Sequence, residues 1–137
     1  MSVRILIVED YEPFRRFICS VLGRRAELQV VGEVSDGSEA VEKAEELKPD
    51  LVLLDIGLPT LNGIEVARRI HRLVPESRIV FLSMESSLDV VKKTLSLGAL
   101  GYIEKLSSPS EILAAVEAVC QGKRYVSLSH LLHQRRT

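Results

Sequence analysis

The chain alternates strictly between two kinds of segment, and this alternation constrains its fold more than any other feature. Short apolar runs rich in Val, Ile and Leu are separated by longer stretches whose apolar residues recur at helical spacing. Short connections between alternating strands and helices favour a parallel sheet with helices on both faces. Strands are predicted over 3–8, 29–34, 51–54, 78–82 and 100–103.

Capping residues indicate where the helices begin. Asp36 and Asn62 are each followed three residues later by glutamate, which is the capping-box pattern. Ser108 precedes Pro109, a proline suited to the first helical position. Gly98 is predicted to end the fourth helix. The predicted helices run from 13 to 22, from the Asp36 cap to 47, from the Asn62 cap to before Pro75, from a cap at Ser86 and Asp89 to 97, and from the Ser108 cap through 119.

The composition favours a single globular domain. The 137 residues are 46% hydrophobic and 27% charged, which is enough apolar material to bury a core without disulfides. No apolar run approaches the length of a membrane span, and no signal peptide opens the chain. Cys19 and Cys120 are therefore expected to be reduced, buried thiols in a cytoplasmic protein.

Charge is nearly balanced except at the end of the chain. The net charge of −1 gives the chain as a whole no nucleic-acid-binding character. A basic end is typical of a solvated tail, and the alternative is the start of a linker into an anion-binding domain. His130 and His133 have the helical spacing of metal ligands, but without a third ligand a surface pair is predicted. The charged residues after Gln121 are Lys123, Arg124, Arg135 and Arg136.

Polar and charged side chains gather at the carboxyl ends of the predicted strands. Ligands of doubly wound sheets bind outside that edge, so these side chains are expected to converge on one site. They are Glu9 and Asp10 after the first strand, Asp55 after the third, Ser83 after the fourth, Tyr102 within the fifth and Lys105 after it.

The three carboxylates of this set predict a magnesium site. Acids packed together repel one another, and a hard divalent cation relieves that repulsion. A carboxylate such as Asp55 beside Mg²⁺ can attack a phosphoryl group and form an acyl phosphate. This transfer depends on charge neutralisation and positioning, for which Lys105 offers a cation and Ser83 a hydrogen-bond donor.

Four segments of the chain stand in the order found in one known family. They are VEDY (8–11), LLDIGLPTLNG (53–63), FLSM (81–84) and GALGYIEK (98–105), and together they resemble the receiver domain of two-component response regulators. The resemblance covers roughly residues 3–122. It implies a flavodoxin-like, doubly wound parallel sheet of five strands in the order 2-1-3-4-5, with five helices.

The resemblance also implies a role for each residue of the site. A sensor histidine kinase would phosphorylate the chain in the presence of Mg²⁺, and the surface of the fourth helix, fifth strand and fifth helix would then change. The readout would be homodimerisation or release of an attached DNA-binding domain, and through it control of transcription. The implied roles are Asp55 as phosphoacceptor and metal ligand, Asp10 as direct metal ligand, Glu9 as a ligand through water, Gly57 as a carbonyl ligand, Ser83 and Tyr102 as switch residues, and Lys105 as the phosphoryl contact.

Residues 98–125 look most like the subfamily in which the receiver precedes a LuxR-type helix-turn-helix domain (the NarL/FixJ type). The expected organisation is a receiver over 1–122, then a linker or short extra helix over 123–137. DNA would be bound only through an output domain that these residues do not contain. The chain is then either a piece of a longer protein, which its basic linker-like end favours, or a stand-alone receiver.

Two positions depart from the pattern of this family. Met84 stands where a small residue is usual, and it is predicted to narrow the route to Asp55 and so slow the phosphoryl chemistry. The alternative is that Met84 only packs outward. Leu106 replaces a common proline, which predicts a trans peptide bond after Lys105.

Two other functions remain open from the residues alone. Asp55 could serve as the nucleophile of a haloacid-dehalogenase-type phosphohydrolase, but that chemistry uses a second acid where this chain has Gly57. The chain could also be a receiver-like module that is never phosphorylated, and the intact set of acids argues against this. Singly, Asp10 is also a common cap, Tyr102 a common core residue and Lys105 a common surface residue.

Overall fold

A computed structural model describes residues 2–58, 62–84 and 88–126, and it has the alternating α/β architecture expected from the sequence. The helices are α1 Glu12–Leu22, α2 Gly37–Leu47, α3 Gly63–Leu73, α4 Leu88–Ser96 and α5 Pro109–Cys120. The strands are β1 Val3–Val8, β2 Leu28–Val34, β3 Leu51–Asp55, β4 Arg78–Ser83, β5 Gly101–Glu104 and β6 Tyr125–Val126. In the described part of the chain, no helix combines the length and apolar character needed to cross a bilayer.

The strands form one parallel sheet in the order β2-β1-β3-β4-β5-β6. The predicted order of the first five strands is confirmed. The prediction of five strands is wrong by one, because Tyr125–Val126 pairs with Gly101 and Tyr102 of β5. A run of two residues has no detectable periodicity, so only its register against β5 makes it a strand. The sheet thus continues past residue 122, and residues 127–137, including His130 and His133, lie outside the described part.

Side-chain caps begin three of the helices where the sequence predicts them. Asp36 accepts hydrogen bonds from the N–H groups of Ser38 and Glu39, at 2.7 and 3.4 Å. In each of the three helices, the oxygen of the cap side chain accepts a hydrogen bond from a backbone N–H of the first helical turn. Asn62 accepts from Glu65 at 3.0 Å, and Ser108 accepts from Glu111 at 3.2 Å.

Glycine ends α4 as predicted. Gly98 has a φ of 92°, the left-handed conformation that follows many helices. The predicted cap residue of this helix, Ser86, lies outside the described residues.

Each face of the sheet has its own apolar core. The side chains of β1 alternate, so Ile5 and Ile7 pack with α1 and α5 while Leu6 and Val8 pack with α2 and α3. All five residues of β3 are buried, as expected for a central parallel strand covered on both sides. Because all strands run in the same direction, their carboxyl ends share one edge of the sheet.

Candidate functional site

Three carboxylates meet at the carboxyl edge of the central strands. Glu9 and Asp10 follow β1, and Asp55 is the last residue of β3. One oxygen from each carboxylate lies within 4.8 Å of the others. Glu9 is fully buried, Asp55 is 5% exposed and Asp10 is exposed to solvent. The structure therefore brings together the three acids that the sequence predicted to converge.

An ammonium group from the end of β5 contacts two of these acids. Lys105 follows β5, and its Nζ lies 2.5 Å from Glu9 Oε1 and 3.3 Å from Asp55 Oδ2. Its backbone N–H donates to the carbonyl of Ser83 at 2.8 Å, which ties this loop to the end of β4. The Lys105 side chain is only 12% exposed, so its charge is poorly screened by water.

Glu9 is the acid most affected by burial. Burial raises the pKa of Glu9 to about 7, although contacts with Lys105 and the Tyr11 N–H oppose this rise. Glu9 Oε2 accepts the Tyr11 N–H at 3.1 Å. Glu9 Oε1 is buried and lies at ion-pair distance from the Lys105 ammonium.

Asp10 responds in the opposite direction. Partial burial acts to raise the pKa of Asp10, but hydrogen bonding with Asp55 and Glu9 outweighs it, and the pKa lies below its ordinary value. Asp10 is thus ionised at neutral pH, and it is the acid most open to solvent. Hard oxygen donors of unequal burial around one point fit a divalent cation such as Mg²⁺, which favours carboxylate and water oxygens.

The loop after β3 holds the carboxylate of Asp55. The N–H of Gly57 donates to Asp55 Oδ1 at 3.0 Å. On the other side, Gly63 lets the first turn of α3 approach β3, since a Cβ on Gly63 would lie 2.3 Å from the carbonyl oxygen of Asp55. The sequence predicted a role for the carbonyl of Gly57 and did not predict this contact of its amide.

Asp55 lies in a cleft of about 410 Å³. Ser83 is buried at the end of β4 and contributes to this cleft, as the sequence predicted. Met84 lines the same cleft while 65% of its surface is exposed, so its predicted effect on access to Asp55 stays a prediction. The lining residues are Asp10, Asp55, Ile56, Gly57, Ser83, Met84, Val90 and Lys105.

Tyr102 lies in β5, three residues before Lys105, but its side chain does not line the cleft. Its ring is fully buried in the core on the α3 side of the sheet, where Phe81 and Val91 also pack. Its proposed part in a switch therefore stays a prediction. The peptide bond between Lys105 and Leu106 is trans, as predicted, and Leu106 is 82% exposed.

The first helix contributes two residues that the sequence analysis did not assign to the site. The ring of Phe14 lies with its centroid 5.1 Å from Lys105 Nζ. Arg15 donates to the carbonyl of Glu9 at 2.9 Å and lies 3.4 Å from the carboxylate of Glu33. Helical periodicity identifies Phe14 as apolar and inward-facing, but it does not indicate which strand end the ring meets.

Both cysteines are free and only half-buried, so the predicted burial is observed in part and their reduced state stays a prediction. Burial raises the pKa of the Cys19 thiol to about 11, with a further contribution from Glu33. Burial likewise raises the pKa of Cys120. Neither thiol is activated as a nucleophile, because the reactive form is the thiolate.

Comparison with known proteins gives a consistent result. The family described as "Response regulator receiver domain" matches residues 5–117. The response regulator GacA of Pseudomonas viridiflava is 35% identical over 125 residues, covering 91% of this chain and 58% of GacA. The transcriptional regulatory protein LiaR of Bacillus subtilis (strain 168) is 35% identical over 121 residues, covering 88% of this chain and 57% of LiaR. The chain thus spans less than two thirds of each relative.

A solved structure agrees with these relatives. The two-component response regulator of the LuxR family from Aurantimonas sp. SI85-9A1 superimposes with a TM-score of 0.85 at 33% identity. The alignment covers 99% of both chains.

Proposed function

The chain belongs to the response regulator receiver domain family of two-component systems, and from this membership we propose that Asp55 accepts a phosphoryl group from a sensor histidine kinase. One observation carries the proposal. Of the three clustered acids, Asp55 is the buried one that lines the cleft, and its Oδ2 lies 3.3 Å from Lys105 Nζ.

The surroundings of the three acids support this choice among them. Glu9 is fully buried, does not line the cleft, and is engaged by the Tyr11 amide and the Lys105 ammonium. Asp10 is open to solvent, which suits a metal ligand more than a nucleophile that must exclude water. The Gly57 amide orients the Asp55 carboxylate by binding Oδ1, which leaves Oδ2 toward Lys105.

The proposed reaction needs little acid–base chemistry. An Asp55 oxygen forms a bond to phosphorus while the bond between phosphorus and the donor imidazole nitrogen breaks. The imidazole carries a proton on its other ring nitrogen and so leaves as neutral histidine. Lys105 would neutralise charge on the phosphoryl oxygens, and Ser83 would donate a hydrogen bond to one of them. These residues already lie around the cleft, so the transfer is supported mainly by positioning.

We assign Mg²⁺ to the acid cluster within this proposal. Asp10 and Asp55 would bind it directly, Glu9 through water, and Gly57 through its carbonyl. Bound Mg²⁺ supplies charge neutralisation at the phosphoryl oxygens. The clustering of three carboxylates, two of them buried, supports a cation at this place, because packed acids repel one another unless a cation lies between them.

The readout within the proposal is a switch. A phosphoryl group adds close to two negative charges and new acceptor oxygens. Ser83 would move toward them, Tyr102 would rotate, and the α4-β5-α5 surface would favour homodimerisation in a cytoplasmic protein. A shift between two pre-existing populations accounts for such a change. The name of LiaR, a transcriptional regulatory protein, supports control of transcription as the output.

The decisive experiment is phosphorylation in the test tube. The protein is incubated with Mg²⁺ and acetyl phosphate, or with a cognate histidine kinase, and its intact mass is measured. We expect a mass gain of one phosphoryl group that is lost in Asp55→Asn. No gain with either donor would identify an unphosphorylated interaction module. Sustained release of phosphate from phosphomonoesters would instead favour the phosphohydrolase.

A further inference from the structure

The ammonium of Lys105 has an aromatic neighbour as well as its two carboxylates. Its Nζ lies 2.5 Å from Glu9, 3.3 Å from Asp55 and 5.1 Å from the centroid of the Phe14 ring. That last distance is within the range at which a cation is attracted to the negative face of a ring. Lys105 is therefore bounded by acids toward β1 and β3 and by a ring from α1.

The Lys105 side chain needs contacts with its neighbours to hold its ammonium in one position. Its four-carbon stem has considerable rotamer freedom, and its ammonium is a point charge without the fixed geometry of a guanidinium. Lys105 leaves the end of β5, and the next residue, Leu106, is 82% exposed. The stem thus begins at the solvent boundary of the site, while its ammonium has to stay at the level of Asp55.

Phe14 is itself held firmly. It lies in the first turn of α1, where Arg15 donates to the carbonyl of Glu9 at 2.9 Å and pairs with Glu33 at 3.4 Å. The Phe14 side chain packs against the core formed by β1, α1 and α5. The helix turn that carries the ring is thus bonded to the same strand end that carries the acids.

An aromatic ring and a third carboxylate would have different effects on the charge of the Lys105 ammonium. A carboxylate would neutralise the ammonium and compete with an incoming phosphoryl group for it. A ring attracts the ammonium weakly and leaves its charge available. Phe14 can thus fix the position of Lys105 without reducing its attraction for phosphoryl oxygens.

We propose that Phe14 is a positioning residue, whose ring holds the Lys105 ammonium beside Asp55 ready for the phosphoryl group. This inference rests on the proposed transfer to Asp55, and it adds a residue of the first helix to the chemistry. Its consequence is that the shape and electron density of this ring affect the rate of transfer through Lys105.

The first test compares the rates at which Phe14→Leu and Phe14→Tyr are phosphorylated by acetyl phosphate in the presence of Mg²⁺. Time courses of intact mass measure these rates. Phe14→Leu is expected to slow the reaction about twofold to thirtyfold, the range from an exposed to a desolvated ring–cation contact. Phe14→Tyr keeps an electron-rich ring and is expected to restore the rate. Equal rates for wild type and Phe14→Leu would overturn the proposal.

A double-mutant cycle separates positioning from packing. In a Lys105→Gln background there is no ammonium to hold, so Phe14→Leu is expected to cause no further loss. The matched control is Phe17→Leu, a second phenylalanine of α1 whose centroid is 5.9 Å from that of Phe14. An equal loss in the Lys105→Gln background, or from Phe17→Leu, would show a packing effect and overturn the proposal.

A measurement that does not depend on phosphorylation distinguishes failure of the Phe14 positioning role from failure of the proposed transfer to Asp55. Proton NMR of the Mg²⁺-free protein is expected to show Lys105 side-chain protons shifted upfield by the Phe14 ring, and the shift is expected to vanish in Phe14→Leu. No upfield shift in the wild type would overturn the positioning role. Failure of the wild type to gain a phosphoryl group would instead overturn the function on which it rests.

Discussion

The two ends of β3 show opposite uses of charge. At the amino end, cations bind the carbonyl groups where helices finish. Arg4 donates to the carbonyls of Leu47 and Lys48 at the end of α2, at 2.7 and 3.2 Å. Arg78 donates to those of Val119 and Cys120 at the end of α5. These carbonyls carry the negative end of each helix dipole, so the cations stabilise the fold.

At the carboxyl end the charges face one another instead. Three acids cluster together, and the Lys105 ammonium lies at ion-pair distance from two of them, Glu9 and Asp55. Both ends also have a cleft, of about 310 Å³ at the amino end and 410 Å³ at the carboxyl end. Cleft size therefore does not identify the site. What distinguishes the carboxyl end is the cluster of three carboxylates, whose negative charge exceeds the positive charge of the one ammonium that contacts two of them.

The largest expected effect comes from replacing Asp55 at the carboxyl end of β3, with replacement of Asp50 at its amino end as the control. Asp55→Asn is expected to abolish phosphoryl incorporation from acetyl phosphate, because the amide is not a nucleophile at this site. Asp50→Asn is the matched control at the amino end, where Asp50 accepts the N–H of Arg4 at 2.8 Å. It is expected to retain full incorporation by intact mass. Loss of incorporation in Asp50→Asn would contradict the contrast between the two ends.

The next prediction concerns pH. The pKa of Glu9 is raised from 4.5 to about 7 by burial, so across this window the folded protein retains a proton that the unfolded chain has lost. The free energy of unfolding of the Mg²⁺-free protein should therefore fall as the pH rises from 4.5 to 7, by up to a few kcal/mol at about 1.4 kcal/mol per pKa unit.

Urea unfolding at pH 5 and pH 8 measures this loss. Glu9→Gln cannot ionise, and it is expected to flatten the dependence. Asp10 acts outside the window, because its lowered pKa adds stability that disappears only below its ordinary value of 3.8. The same slope in wild type and Glu9→Gln would show that burial does not raise the pKa of Glu9.

A smaller effect is expected from Arg78 at the amino end. Arg78→Met keeps the apolar stem but removes the donors to the α5 carbonyls, and the free energy of unfolding should fall by about 2 kcal/mol. The rate of phosphorylation should stay at the wild-type value, since the residue lies at the opposite edge of the sheet. Urea unfolding and intact mass give the two values. If Arg78→Met slowed phosphorylation and left the free energy of unfolding unchanged, Arg78 would act in the phosphoryl chemistry and not in the stability of the fold.

The smallest expected effect belongs to Met84. Its side chain lines the cleft above Asp55 while remaining 65% exposed, so it restricts access only in part. Met84→Ala is expected to speed phosphorylation by acetyl phosphate, or loss of the phosphoryl group, severalfold. Time courses of intact mass measure both rates. Unchanged rates would leave Met84 as an outward-packing residue.

Local signals in the sequence were enough for most of the fold. Caps such as Asp36, Asn62 and Ser108 act on N–H groups two or three residues away, and such short-range chemistry can be read directly from the sequence. β6 was missed because a two-residue strand exists only through its pairing with β5. Phe14 was missed as a site residue because helical spacing indicates burial but not the partner.

The sequence by itself determined which side chains would gather. Parallel strands end at one edge, so Glu9, Asp10, Asp55, Ser83 and Lys105 had to meet once the alternation was recognised. The tertiary structure alone decided how they meet. The raised pKa of Glu9, the oxygen that faces Lys105 and the ring beside its ammonium depend on burial and on contacts between distant parts of the chain. Desolvation and long-range packing have no local signal, because they arise only when the strands and helices have assembled.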